Sequence, residues 1–174
     1  MTDAKAQLAG YFAKYEPAMA KLGTALRAKL RARLPGLFEI VYMYENQGAL
    51  VISYSPTGRG YEAVCSISVY PDLVKLGFGN GAQLSKSDPN KLLQGQGKMV
   101  RYVELNSVAD FDRPEIERLI ADAVTLAKLR LDPNAKGAMI VKAEAQKQRA
   151  RRATKAASNR GSAAKPSKVK TLRQ

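Results

Sequence analysis

The sequence predicts an α+β domain in which an antiparallel sheet of about five strands carries helices on one face, followed by a basic tail. Helix-like apolar stripes lie at both ends of residues 1–135. Between them, runs of alternating apolar residues follow one another without an intervening helix, which favours antiparallel pairing over a doubly wound parallel sheet. Residues 136–174 lack aromatic side chains and are strongly basic, so we predict a separate tail that is disordered or partly helical.

The helices are predicted from apolar residues spaced three and four positions apart. The first covers residues 4–15 and ends before Pro17, because proline lacks an amide hydrogen and clashes with the preceding turn. The second runs from Pro17 to about Leu34, ahead of Pro35 and Gly36. A last helix is expected over about residues 113–131, with one apolar face toward the sheet.

The strands are predicted from period-two alternation and from turn residues between the runs. In the first run Phe38, Ile40, Tyr42 and Tyr44 alternate with other residues. The expected strands cover residues 38–44, 50–54, 61–70, 73–78 and about 99–105. Cys65 falls with the apolar residues of the third strand, so we expect a buried structural thiol rather than a reactive one.

The composition excludes several classes of function. The chain of 174 residues has no His and one Cys. Without His there is no Ser-His-Asp or Cys-His catalysis and no His-ligated metal. A single Cys forms no internal disulfide and no four-cysteine zinc site. We therefore expect no metal and no cofactor, and an enzyme would have to act through carboxylate, Lys or Tyr side chains.

The expected location is the cytoplasm. The chain begins without the basic and apolar pattern of a secretory signal, and no run approaches the 18 or so apolar residues of a membrane-spanning helix. A single unpaired cysteine fits a reducing compartment. We predict no membrane contact.

The positive charge is concentrated at the carboxyl end. Of the formal charge of +14, residues 1–135 contribute +3 from 17 Lys and Arg against 14 Asp and Glu. Residues 136–174, which we call the basic tail, contribute +11 from 12 Lys and Arg against Glu144 alone. Residues 140–157 are rich in helix-forming Ala, Lys, Arg and Gln, whereas Ser, Gly and Pro after residue 158 favour disorder.

The basic tail predicts contact with nucleic acid or another polyanion through counterion release. Its lack of aromatic residues leaves no stacking partners within the tail itself, and a solvated tail that aids solubility is an equal alternative. The candidate residues, which we call the tail cations, are Lys147, Arg149, Arg151, Arg152, Lys155, Arg160, Lys165, Lys168 and Lys170.

A glycine-rich region beside basic residues is the candidate ligand site of the folded part. Glycines allow backbone amides to approach a phosphate, but the spacing before Lys86 does not match a phosphate-binding loop, because Asn80 and Ser85 occupy its glycine positions. Strand ends with tight turns are therefore the favoured interpretation of the glycines. For Lys75, Lys98 and Arg101 two interpretations stay open, an anionic-ligand pocket beside these turns and solubilising residues that deter pairing at a sheet edge. The candidate residues are Lys75, Gly77, Gly79, Gly81, Gly95, Gly97, Lys98 and Arg101.

An acidic stretch before the last helix has two interpretations. Asp110, Asp112, Glu115 and Glu117 would have to converge on one point to bind a hard metal ion. The spacing of Asp112 and Glu115, with Pro114 between them, favours a helix cap instead.

Residues 18–131 resemble the YdhG-like domain, a bacterial family of unknown function. The resemblance rests on VYPDLVKLGFGNGAQL at residues 69–84 and LLQGQGKMVR at residues 92–101. It implies a small α+β fold and supplies no catalytic residues. Some relatives are described as frataxin-like iron chaperones, which would require an acidic ridge on the first helices. Here those helices are predominantly basic, with Lys14, Lys21, Arg27, Lys29, Arg31 and Arg33 against Asp3 and Glu16.

The sequence thus favours a binding or accessory domain over an enzyme. In the leading hypothesis the basic tail contacts a polyanion while the folded part binds an unidentified ligand or protein. The alternative is a small-ligand or iron-handling domain with an incidental tail.

Overall fold

A computed structural model describes residues 3–142, and within them the α+β fold is confirmed. The helices are α1 (Ala4–Phe12), α2 (Pro17–Arg33), α3 (Val108–Phe111) and α4 (Pro114–Leu126). The strands are β1 (Phe38–Tyr44), β2 (Ala49–Ser55), β3 (Cys65–Val69), β4 (Val74–Phe78), β5 (Arg101–Leu105) and β6 (Met139–Val141).

The sheet has six strands in the order β5-β4-β3-β2-β1-β6. The five predicted strands form a continuous antiparallel meander. The sixth, β6, adds to the edge of β1 in parallel, with Ile140 beside Ile40. Three residues of the segment assigned above to the basic tail therefore belong to the sheet, and two of them, Ile140 and Val141, open the stretch described as rich in helix-forming residues. Residues from 143 onward, including every tail cation, lie outside the described part.

One face of the sheet packs against the helices and forms the core. In β1 this face carries Glu39, Val41 and Met43, not the alternating set that begins at Phe38. It continues through the apolar residues of β2, β3 and β4 to Val103 and Leu105 of β5. The buried residues of α2 and α4 complete the same cluster.

Close packing of α2 on the sheet depends on Gly23, which is buried. A methyl group there would approach the Val69 side chain to 2.7 Å and the Phe12 ring to 3.1 Å. The helix ends before Pro35, and Gly36 then takes a φ of +81°, a left-handed conformation that favours glycine. Pro17 occupies the first turn of α2, where its missing amide hydrogen costs nothing.

The helix cap predicted at Asp112 and Glu115 is wrong. The capping box instead joins Ser107 and Asp110 at the start of α3, and Asp112 closes that short helix. The α4 helix begins at Pro114, and the N-cap residue Arg113 makes no side-chain capping hydrogen bond. The third strand is also shorter than predicted, because residues 60–62 form a single 3₁₀ turn.

Candidate functional site

The second face of the sheet is not covered by α1, α2, α3 or α4, since the buried residues of those helices lie in the core cluster on the opposite face. Strand alternation places a polar and aromatic set here. We call it the uncovered face, and it comprises Ile40, Tyr42, Tyr44, Val51, Ser53, Ser66, Ser68, Tyr70, Lys75, Gly77, Tyr102 and Glu104.

Two rows of paired residues cross the uncovered face from strand to strand. One runs from Tyr42 through Val51 and Ser68 to Lys75 and Glu104. The other runs from Ile40 through three small residues to Tyr102; those three are Ser53, Ser66 and Gly77. From β1 to β5 the rows span four strand spacings, or about 19 Å.

Lys75 lies between two tyrosine rings at one margin of this face. Its Nζ atom is 4.1 Å from the centre of the Tyr102 ring and 5.1 Å from that of the Tyr70 ring. An ammonium over an aromatic face is attracted by the ring quadrupole. All three side chains are half-buried, so the cluster is held in place yet accessible to a ligand.

Two stacked tyrosines form the opposite margin. The ring centroids of Tyr42 and Tyr44 are 6.0 Å apart and their planes differ by 22°. The loop after β2 borders this margin, because a methyl group at Gly60 would overlap the Tyr42 hydroxyl and one at Gly58 would lie 3.3 Å from Ile140.

The middle of the face is lined by small side chains. Gly77 leaves room for the Ser66 side chain, since a methyl group at Gly77 would overlap the Ser66 hydroxyl. Small residues therefore lie between two groups of tyrosine side chains on this face. That arrangement suits planar, stacking ligands.

The residues predicted from the glycine-rich region are placed in two groups. Lys75 and Gly77 lie on the uncovered face. The others lie around the connection from β4 to β5, and they are Gly79, Gly81, Gly95, Gly97, Lys98 and Arg101. Tyr42, Tyr44, Tyr70 and Tyr102 were not among the predicted site residues; Tyr42 and Tyr44 were predicted only as alternating residues of the first strand. The signal that could have found them is their position in the strand alternation, opposite to that of the core residues.

Three of the four glycines in the second group have a structural role that accounts for glycine. A methyl group at Gly79 would overlap the Ala63 carbonyl, and one at Gly81 would lie 2.7 Å from the Arg101 amide nitrogen. Gly95 has a φ of +110°. The Arg101 guanidinium donates to the carbonyls of Gly97 and Val100, while Lys98 is exposed.

The basic residues of α2 are largely neutralised by neighbouring carboxylates. Lys29 contacts Asp112 at 2.7 Å, and Arg33 contacts Glu117. Asp112 and Glu117, two carboxylates of the acidic stretch, therefore bind α2 cations. Because these charges are compensated, the basic face of α2 is a weaker polyanion surface than its sequence indicates.

A buried ion pair lies beneath α2. Glu39, only 4% exposed, accepts hydrogen bonds from Arg27 Nε at 3.0 Å and Arg27 Nη2 at 2.8 Å. The Tyr54 hydroxyl donates to the same carboxylate at 2.7 Å. Burial, followed by the Glu39 charge, raises the pKa of Tyr54 above its usual value, so this tyrosine stays protonated.

Cys65 is buried, as predicted. Burial raises the pKa of its thiol to about 12, which leaves it protonated and unreactive near neutral pH. In the part of the chain that the structure describes, no group of three or more Cys, Asp and Glu side chains is placed to hold a metal ion. No helix within residues 3–142 is both long and apolar enough to span a bilayer.

No family model matches the chain, and no curated protein or solved structure matches it either. The relationship to the YdhG-like domain therefore stays a prediction from the residues quoted above.

Proposed function

We propose that this chain is a binding protein, not an enzyme, whose basic tail and uncovered face together bind single-stranded nucleic acid. The observation that carries the proposal is the Lys75 ammonium held between Tyr70 and Tyr102, on the same sheet face as the stacked pair Tyr42 and Tyr44.

Stacking supports the choice of a single strand as the ligand. Unpaired bases expose flat faces, and each base stacked on an aromatic side chain contributes about 1–3 kcal/mol. Antiparallel sheets that present aromatic residues are an established platform for two or three such bases. When a base stacks on Tyr102, Lys75 can turn its ammonium from the ring to a neighbouring phosphate.

The basic tail supplies the second contribution. Its net charge of +11 provides affinity for phosphates without reading the bases. That affinity weakens as the salt concentration rises, because the counterions released on binding then gain less entropy. The tail lacks aromatic residues, and the uncovered face carries them. The two parts thus bring complementary chemistry to the same class of ligand.

The test measures binding of a fluorescent oligothymidylate to the full chain by anisotropy. Tyr102→Leu with Lys75→Gln should weaken binding about tenfold, corresponding to one lost stacked base at about 1.4 kcal/mol. Changing the tail cations to Gln should reduce the salt dependence, because the slope follows about 0.7 per phosphate contacted on a single strand.

Two controls separate stacking from charge. Tyr61→Leu removes a tyrosine that is 79% exposed and lines a small cleft with Leu84 and Leu126, so it should leave binding unchanged. Inorganic polyphosphate, which has no bases, should bind through the tail cations and should not respond to Tyr102→Leu. The proposal fails if oligothymidylate binds no better than polyphosphate of equal charge, or if the Tyr102 and Lys75 changes have no effect.

A further inference from the structure

A groove between α1, α2 and β6 lies on the helix-covered side of the sheet. It has a volume of about 400 Å³, within the usual range for small-molecule sites. Its apolar wall includes Leu8 and Phe12 of α1 and Met139 of β6, and its basic residues are Lys5, Arg27 and Arg31. No acidic side chain lines it.

A second groove shares Arg27 and Arg31 with the first. It has a volume of about 370 Å³ and is lined by Arg27, Arg31 and Lys136 together with the turn after α2. It too has no acidic lining residue. The two arginines therefore border both grooves, and every ionisable side chain that lines either groove is cationic.

The two arginines differ in how well they are already paired. Arg27 makes a bidentate contact with Glu39, and its side chain is 17% exposed. Arg31 reaches the same carboxylate only at 3.9 Å, and its side chain is 52% exposed. One carboxylate thus faces two guanidinium groups, and Arg31 retains donors for a further anion.

We propose that this groove binds a small carboxylate with an apolar chain. Arg31, assisted by Lys5, binds the carboxylate, and Arg27 is a positioning residue that Glu39 holds fixed. The chain lies against Leu8, Phe12 and Met139. The basic side chains favour an anion. The apolar wall favours a ligand with a hydrocarbon chain, which acetate lacks. The groove and the uncovered face lie on opposite sides of the sheet, so this proposal is independent of nucleic-acid binding.

The test titrates the full chain with decanoate, decanol and acetate by calorimetry and follows the Met139 methyl signal by NMR. Decanoate should bind saturably and shift that signal, while decanol and acetate should each bind at least about tenfold more weakly. Arg31→Gln should weaken decanoate binding about tenfold and leave decanol unchanged, because it removes a charge-assisted contact.

Two further variants keep the test decisive. Ala9→Trp fills the groove from an exposed position on α1 and should abolish binding while the protein stays folded. Arg118→Gln removes a guanidinium 74% exposed on α4 and should have no effect. The proposal is overturned if decanoate does not saturate, if decanol or acetate binds equally well, or if Arg31→Gln and Ala9→Trp both bind like the unmodified protein.

Discussion

Removing Arg27 should be among the most damaging single changes on α2. In Arg27→Met the aliphatic length of the side chain is kept, but the Glu39 carboxylate loses both guanidinium hydrogen bonds. That carboxylate, with a side chain 5% exposed, cannot turn to solvent. Its remaining partners are the Tyr54 hydroxyl at 2.7 Å and Arg31 at 3.9 Å.

The size of the effect follows from this geometry. Breaking a buried ion pair by deleting one partner costs about 3–5 kcal/mol, because an uncompensated charge stays buried. The hydroxyl and the distant guanidinium offset part of the loss, so we expect about 3 kcal/mol. For a chain of this size that lowers the melting temperature by about 9 °C.

The assay is urea unfolding of the full chain with linear extrapolation to water. The double variant Arg27→Met with Glu39→Leu should recover to within about 1 kcal/mol of the unmodified protein, since both charges are gone and Tyr54 can still donate to the Arg27 carbonyl at 3.3 Å. As a matched control, Lys14→Met breaks the exposed pair with Glu45 and should cost less than about 1 kcal/mol.

The reasoning is refuted if Arg27→Met costs no more than Lys14→Met. It is equally refuted if the double variant is as unstable as the sum of its single changes, because the penalty would then come from lost packing and not from the buried charge.

The remaining predictions concern methyl groups added at glycines and the stability of the fold at alkaline pH. Gly10→Ala should stabilise α1 by about 0.5–1 kcal/mol, since nothing lies within 4 Å of the added methyl group, and urea unfolding measures the gain. Gly137→Ala should loosen β6, because the methyl group would overlap the Leu37 carbonyl. Hydrogen exchange of the amides that pair β6 with β1 should become faster in this variant. In the control Gly97→Ala, the same exchange rates should stay unchanged. The raised pKa of Cys65 means that the unfolded thiol ionises from about pH 9 while the folded one does not. The thiol alone should therefore lower stability by about 1.4 kcal/mol as pH rises to about 10. Cys65→Ala should remove that part of the fall and leave the smaller part from Tyr15 and Tyr54, whose pKa values burial also raises.

Local patterns were sufficient for the long elements. The apolar stripe of α2 and the turn at Pro35 and Gly36 are visible in the sequence, and the helix indeed ends there. The order of five strands without intervening helices was likewise enough to predict an antiparallel meander. These features depend on neighbouring residues, which is why a single sequence reveals them.

Features that depend on distant pairing were missed. The β6 strand has three residues and lies in a segment whose composition is that of a tail. Only its pairing with β1, far away in the chain, makes it a strand. The capping box was misplaced because the α3 helix, from Val108 to Phe111, is too short to show a helical period.

The candidate site shows the same limit. The sequence shows which residues of each strand share a face with Tyr42 and Tyr102. It does not show which face is the core in β1, because both alternating sets of that strand contain large apolar residues. The face toward the helices is fixed by Glu39, which meets Arg27 of α2. The placement of Lys75 between Tyr70 and Tyr102 depends on the registers of β3, β4 and β5, which no local pattern specifies.

The most direct test of nucleic-acid binding is an NMR titration of the full chain with a short oligothymidylate, observing the tyrosine ring signals. We expect the rings of Tyr70 and Tyr102 to shift with the same saturation curve, while Tyr54, buried on the opposite face, does not move. Shifts confined to residues 143–174, with the rings of the uncovered face unchanged, would contradict the account.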